Sequence, residues 1–155
     1  MIVAIGTDHA GFSLKERVAA TIRESGHTVV DCGADRMIPG DDYPDYAERV
    51  ARAIMEGSAE RGVLMCGSGV GASVAANKFI GVRAALCHDT FSARQGVEDD
   101  SMNVLCLGAR VVGPALAEEL VRAFLQASFS GAERHVRRLS KILAFEQPSL
   151  KGLAR

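Results

Sequence analysis

The sequence lacks a charge imbalance. Lys and Arg total 18 against 19 Asp and Glu, a formal net charge of -1 at pH 7. It therefore shows no electrostatic footprint of a nucleic-acid binder. It also lacks any apolar run near the ~20 residues of a membrane-spanning helix, so no membrane partner is expected. Its four cysteines, Cys32, Cys66, Cys87 and Cys106, have no C-x-x-C spacing. That argues against zinc ligation and disulfides, and for reduced thiols in a cytoplasmic protein. No internal repeat or low-complexity segment is present. Met1 leads straight into Ile2-Val3-Ala4-Ile5, so no signal peptide is expected. What remains is ordinary for a globular chain: 155 residues, 48% hydrophobic and 24% charged. One domain over 1–155, with a proper core, is expected.

The most informative stretch is Val63 to Lys78, VLMCGSGVGASVAANK. Val63, Leu64 and Met65 suit a buried parallel strand. Cys66 follows, then Gly67, Ser68, Gly69, Val70 and Gly71, and then the helix-forming run Ala72 to Ala76. A strand, a glycine-rich turn and a helix start present free backbone N–H groups to an anionic oxygen. A thiol stands at the mouth of that turn, and a nucleophile or base beside an anion-holding loop is a catalytic arrangement. Two other readings fit the same letters. Gly67 to Ala72 matches a loose G-x-G-x-x-A dinucleotide fingerprint, with Asp89 at about the usual ~20 residues downstream. That fingerprint normally lies in the first βαβ unit, and this one comes later in the chain. The stretch is not a Walker A loop, because no Gly-Lys-Ser/Thr follows. The other reading is a tight turn beside an inert core cysteine.

Apolar runs at Ile2–Gly6, Thr28–Val30, Val63–Met65, Val82–Cys87 and Val104–Leu107 are expected strands. Between them lie helical patterns: Leu14, Val18 and Ile22, closed by Gly26; Ala47, Val50, Ala51 and Ile54 after Pro44; and Phe91, Ala93 and Val97, capped by Asp89 or Thr90. Glu98-Asp99-Asp100-Ser101 is expected to break the last of these. Gly113-Pro114 opens a helix through Ala117, Leu120, Val121 and Phe124, and another spans Glu133 to Phe145. Ala34 to Tyr43 is a polar loop, and 146–155 a frayed tail. Strands alternating with helices predict an α/β fold, a five-stranded parallel sheet between helix layers. Ligands then bind beyond the carboxyl ends of the strands. That rule gathers Asp8 and His9, Cys66 to Gly71, His88 and Asp89, and Arg110 along one edge.

Each of these groups has a plainer reading. Asp8-His9 is an acid and base for a ligand, or a helix cap beside a surface histidine. Arg134 and Arg138 share a helix face and, with Arg110, suit a phosphate; otherwise they belong to a solvated basic face with Arg137 and Lys141. Asn77 and Lys78 suit the end of the glycine-loop helix as caps. His27 and His135 show no evident partner and are expected at the surface.

In order along the chain come Asp8-His9-Ala10-Gly11, Asp42-Tyr43-Pro44, Cys66 to Gly71, Ala75-Ala76-Asn77-Lys78, Gly81-Val82-Arg83-Ala84, Asn103-Val104-Leu105, Gly108-Ala109-Arg110-Val111 and the Arg134/Arg138 pair. Together they resemble the type B ribose-5-phosphate isomerases and the related galactose- and allose-6-phosphate isomerases, over about Ile2 to Glu146. The resemblance implies a Rossmann-like three-layer α/β/α sandwich. It implies a homodimer, with a tetramer as the alternative, and active sites at the subunit interface. The implied reaction is aldose–ketose isomerisation of a phosphorylated sugar through a cis-enediolate, with no cofactor and no metal. Cys66 matches the carbon base, with the helix N-terminus behind its thiol. The backbone of Gly67, Ser68, Gly69, Val70 and Gly71 matches the oxyanion loop, where the Ser68 hydroxyl assists. His9, Arg110, Arg134 and Arg138 match substrate-binding positions, mainly for phosphate and some from across the dimer. Asp8 and Tyr43 match sugar contacts.

One position departs. The resembled family places a ring-opening histidine where this chain has Asp99, just before the acidic or amide position held by Asp100. Ring opening of a furanose is therefore the step expected to suffer. Ribose 5-phosphate is the leading substrate; erythrose 4-phosphate, allose 6-phosphate and galactose 6-phosphate are alternatives. A phosphosugar-binding protein without turnover is the rival from another class, and a nicotinamide-dependent dehydrogenase a more distant one.

Overall fold

The computed structural model describes residues 1–146. Five strands form one fully parallel sheet: β1 (Ile2–Thr7), β2 (Thr28–Asp31), β3 (Arg61–Cys66), β4 (Ala84–Leu86) and β5 (Val104–Gly108), in the order β2-β1-β3-β5-β4. The helices are α1 (Lys15–Glu24), α2 (Tyr43–Met55), α3 (Val70–Ala76), α4 (Thr90–Asp100), α5 (Pro114–Gln126) and α6 (Glu133–Ala144). Alternation along the central strands splits the core into two layers. Val3, Ile5, Val63, Met65, Leu105 and Leu107 pack with α1, α4 and α5. Ala4, Leu64, Cys66, Val104 and Cys106 face the other way, against α2 and α3. This is the expected three-layer sandwich. No helix of the described residues is long and apolar enough to cross a membrane.

The winding reverses between β1 and β3, the crevice where open α/β sheets bind ligands. Thr7 pairs with Met65, and Cys66 with Gly108. The turns after β1, β3 and β5 therefore open side by side.

Three expectations change. β4 begins at Ala84 rather than Val82, because Asn103 Oδ1 takes the Arg83 N–H at 2.8 Å before the ladder starts. The acidic run does not break α4; Glu98, Asp99 and Asp100 form its last turn, and Ser101 ends it with φ 53°. Partners one turn back hold that turn: Arg94 Nη1 donates to Glu98 Oε2 at 2.7 Å, and Gln95 Nε2 to Asp99 Oδ2 at 2.5 Å. His135 is not at the surface: it is 2% exposed. Of the expected frayed tail, 147–155 lies outside the described residues.

Candidate active site

Cys66 closes β3 with its side chain 5% exposed. The chain then turns sharply. Gly69, with φ +80°, supplies the left-handed residue that starts α3. The turn folds back so that the Gly69 N–H donates to Cys66 Sγ at 3.1 Å. A side chain at Gly71 would push the Tyr43 ring aside, since a Cβ there would lie 2.6 Å from Tyr43 Cζ. The tyrosine ring thus lies directly on the glycine loop. Val70 N–H donates to Ser68 Oγ at 3.3 Å, which ties down the exposed serine.

The other thiols differ in kind. Burial pushes Cys87 up to about 11, and it raises Cys106 and Cys32 above the ordinary thiol range as well. Of the four, Cys66 is the one that reaches the cavity at this edge.

That cavity measures about 410 Å³ and is lined by Asp8, His9, Tyr43, Cys66, Gly67, Ser68, Gly71 and Arg110, among others. Its size suits a small metabolite. Asp8 is 5% exposed; its Oδ1 accepts the N–H groups of Ala10 and Gly11 at 3.0 and 2.9 Å, which fixes the turn after β1. The Arg110 backbone N–H donates to Gly67 O at 3.0 Å, and its guanidinium lies over Gly67.

The residue that sequence reading missed is Asp41. Its Oδ1 accepts the His9 backbone N–H at 2.8 Å and lies 2.7 Å from His9 Nδ1, while Oδ2 accepts the Tyr46 hydroxyl at 2.7 Å. Burial pushes the Asp41 carboxyl up, but the bonds from His9 and Tyr46 outweigh it and hold Asp41 below the usual carboxylate range. The same bond raises Tyr46 to about 12. An ionised carboxylate only accepts, so Nδ1 of His9 carries a proton and Nε2 is the nitrogen left for a ligand. Ligand atoms of Asp8, His9 and Asp41 lie within 4.8 Å of one another, the spacing of a cation site. Both Asp41 oxygens already accept from His9 and Tyr46, and Asp8 Oδ1 accepts from Ala10 and Gly11, so the three residues form a hydrogen-bond network.

The structure thus gathers Cys66, the loop Gly67 to Gly71, Asp8, His9, Tyr43 and Arg110. It does not bring Asp99, Asp100, Arg134 or Arg138 to the lining of this cavity. Asp100 instead borders a larger cavity of about 600 Å³ between α3, β4, α4 and α6, with Ile80, Met102, Ile142 and Phe145. That space is the more voluminous, but it holds none of the thiol, histidine or glycine-loop groups and is not where the chemistry converges. His88 is tied to the sheet, its Nε2 accepting the Gly108 N–H at 3.2 Å. Asn77 stitches the end of α3 to β4 through the Ala84 N–H and C=O, which is the structural role expected of it.

A model of the ribose/galactose isomerase family matches residues 3–142. The chain is 44% identical over 148 residues to ribose-5-phosphate isomerase B of Escherichia coli, covering 94% of this chain and 96% of the relative. It is 43% identical over 129 residues to the D-erythrulose-4-phosphate isomerase of Pectobacterium atrosepticum, covering 83% and 85%. The solved structure of type B ribose 5-phosphate isomerase from Trypanosoma cruzi superposes with a TM-score of 0.91 at 45% identity, covering 94% of this chain and 98% of that one. A thiol, a glycine-rich loop and the polar groups of Asp8, His9, Tyr43 and Arg110 meet at the switch point of a parallel sheet, and the comparisons give that arrangement its context: the chain belongs to the ribose/galactose isomerase family and is an isomerase.

Proposed function

We propose that the chain interconverts ribose 5-phosphate and ribulose 5-phosphate through a cis-enediolate, with Cys66 as the carbon base. The observation that carries this reading is the placement of the thiol. Its sulfur takes the Gly69 N–H at 3.1 Å, in a cavity shared with Asp8, His9, Tyr43 and Arg110. In the open-chain aldose the thiolate takes the proton from C2. The C–H electron pair forms the C1–C2 double bond, and O1 takes up negative charge. Moving the O2 proton to O1 and returning a proton to C1 gives the ketose. Backbone N–H groups of the Gly67 to Gly71 loop other than those of Gly69 and Val70, which are held by Cys66 Sγ and Ser68 Oγ, stabilise the oxyanion together with the Ser68 hydroxyl. Asp8 and Tyr43 contact the sugar hydroxyls, and His9 and Arg110 hold the phosphate.

We assign Asp99, Asp100, Arg134 and Arg138 to the site of a second copy, which makes the working unit a homodimer; a tetramer is the alternative assembly. Apolar side chains left exposed near these elements support this: Val70 and Val74 on α3, Val136, Ile142 and Leu143 on α6, and Phe145 just after it. Four free cysteines support a cytoplasmic setting.

A tetrose phosphate is the second reading. Position 99 carries no histidine, and a relative at 43% identity is named for D-erythrulose 4-phosphate. Erythrose 4-phosphate cannot close a five-membered ring, so it needs no ring-opening acid. The test is turnover of ribose 5-phosphate, erythrose 4-phosphate, allose 6-phosphate and galactose 6-phosphate with no cofactor added, together with loss of a C2 deuterium label to water. Fastest turnover of ribose 5-phosphate with label washout supports the first reading. Faster turnover of erythrose 4-phosphate replaces it with the second. Binding without turnover or washout sinks both.

A further inference from the structure

Helix α6 carries Arg134 and Arg138, yet it buries a single side chain, His135. That imidazole meets Asp99 in the last turn of α4: His135 Nδ1 lies 2.8 Å from Asp99 Oδ1. The approach is bent away from the line of a straight ring N–H bond, so it is a close polar contact and not an ideal hydrogen bond. Gln95 Nε2 holds the other oxygen, Asp99 Oδ2. Just ahead of α6, the Ser130 N–H donates to Glu98 O at 2.9 Å, in the same turn of α4. Both Asp99 oxygens thus face donors, which is how a carboxylate anchors a helix and a poor arrangement for giving up a proton to a ring oxygen.

We propose that Asp99 is a positioning residue: with His135 it forms a clasp that sets the rotation of α6 and so aims Arg134 and Arg138 at the phosphate. At 3.6 residues per turn the two arginines lie about 100° and 60° round the helix from His135, on the same side. Fixing His135 therefore fixes both guanidinium stems. The position that holds a ring-opening histidine in the resembled isomerases serves here to hold the phosphate-gripping helix. This inference rests on the phosphate role proposed for Arg134 and Arg138.

The test compares Asp99→Ala, His135→Ala, the double variant and Asp99→Asn on cyclic ribose 5-phosphate and open-chain ribulose 5-phosphate. Each alanine variant is expected to raise KM for both sugars by the same factor, on the order of tenfold. The double variant is expected to be no worse than either single one. Asp99→Asn keeps an acceptor for His135 but has no acidic proton, so it is expected to lose less than Asp99→Ala. A fall in kcat confined to ribose 5-phosphate, shared by the asparagine variant, would overturn the proposal and make Asp99 the ring-opening acid. Amide hydrogen exchange of α6 separates the clasp from the phosphate assignment. Faster exchange over 133–144 in Asp99→Ala, with Arg134→Ala leaving KM unchanged, keeps the clasp and removes the arginines from phosphate binding. Unchanged exchange, or independent additive effects in the double variant, removes the clasp.

Discussion

Around Cys66 the backbone is tied to the sheet and to its own loop, whereas α6, among the described residues, buries the His135 side chain alone. Cys66 pairs with Gly108 across the sheet, and the loop after it is closed by Gly69 N–H on its sulfur and by Tyr43 against Gly71. These ties hold the loop in one conformation, which is what proton transfer at carbon demands of a base and its oxyanion donors, the roles proposed for it. Helix α6 holds its arginines on an exposed ridge, and Val136, Ile142 and Leu143 on it are left open. Under the proposed function the difference separates the residues assigned to the chemistry from those assigned to the phosphate, and each set can be broken alone.

The largest effect is expected at the rigid end. Cys66→Ala removes the proposed base and with it the acceptor of the Gly69 N–H, while the left-handed Gly69 and the Tyr43 ring against Gly71 remain to hold the turn. Turnover is expected to fall by ~10²–10⁴ with substrate affinity nearly unchanged. Loss of C2 deuterium to solvent reads this directly. Near-normal washout in the variant would move the carbon base elsewhere, with Asp8 the next candidate.

At the gripping end, Arg134→Ala or Arg138→Ala is expected to raise KM for a phosphorylated sugar by the equivalent of one charge-assisted hydrogen bond, about 1.5–3 kcal/mol. Weak activity on the unphosphorylated sugar should hardly change. Equal losses on both would show damage to the proposed dimer instead of a lost phosphate contact.

The same division explains what could be read from the amino-acid order. The sheet, its helices and the residues after β1, β3 and β5 follow from apolar runs and from the rule that ligands sit beyond strand ends, which is why Asp8, His9, Cys66 and Arg110 were identifiable; Tyr43, at the start of α2, was reached only through the family resemblance. Asp41 was not, because it lies in an aperiodic polar loop with Asp35 and Asp42, and nothing in that order says which aspartate folds back onto His9. His135 looked like a surface residue because its neighbours Arg134, Arg137 and Arg138 are polar; its burial comes from docking on α4, a tertiary event. The end of α4 was readable in part. Arg94 and Gln95 stand four residues before Glu98 and Asp99, a helix-sustaining spacing that outweighs the poor fit of acids at a helix C-terminus.

Asp41→Asn sharpens the comparison from the rigid side with a smaller effect. The amide loses the charge that fixes the His9 tautomer and keeps a weaker acceptor. The kcat/KM for phosphorylated sugars is expected to fall by about 1.5 kcal/mol, with the fold retained. Imidazole ¹⁵N shifts of His9 should show loss of the single tautomer. An unchanged His9 spectrum would mean that the backbone N–H alone, at 2.8 Å from Asp41, holds the loop.

The smallest effect is expected from Tyr46→Phe, and it reads the pH dependence of the same network. Tyr46 is 7% exposed and donates to Asp41 at 2.7 Å. Asp41 has its pKa lowered in the folded state, so its share of stability is present above the unfolded value of ~3.9 and is lost as pH falls through the folded one. Tyr46 is raised to about 12, so its share is present below the unfolded value of ~10 and is lost as pH rises from there through about 12. Between those limits the bond is intact and its contribution is flat. Removing the hydroxyl should cost about 1 kcal/mol at neutral pH. It should also abolish this tyrosine's alkaline loss of stability and reduce the acid one, because Asp41 keeps its bonds from His9. Denaturant unfolding at pH 3, 7 and 11 checks both slopes. A variant that lost the acid slope entirely and kept the alkaline one would show that the Tyr46 hydroxyl carries the depression of Asp41 and that another group titrates at high pH.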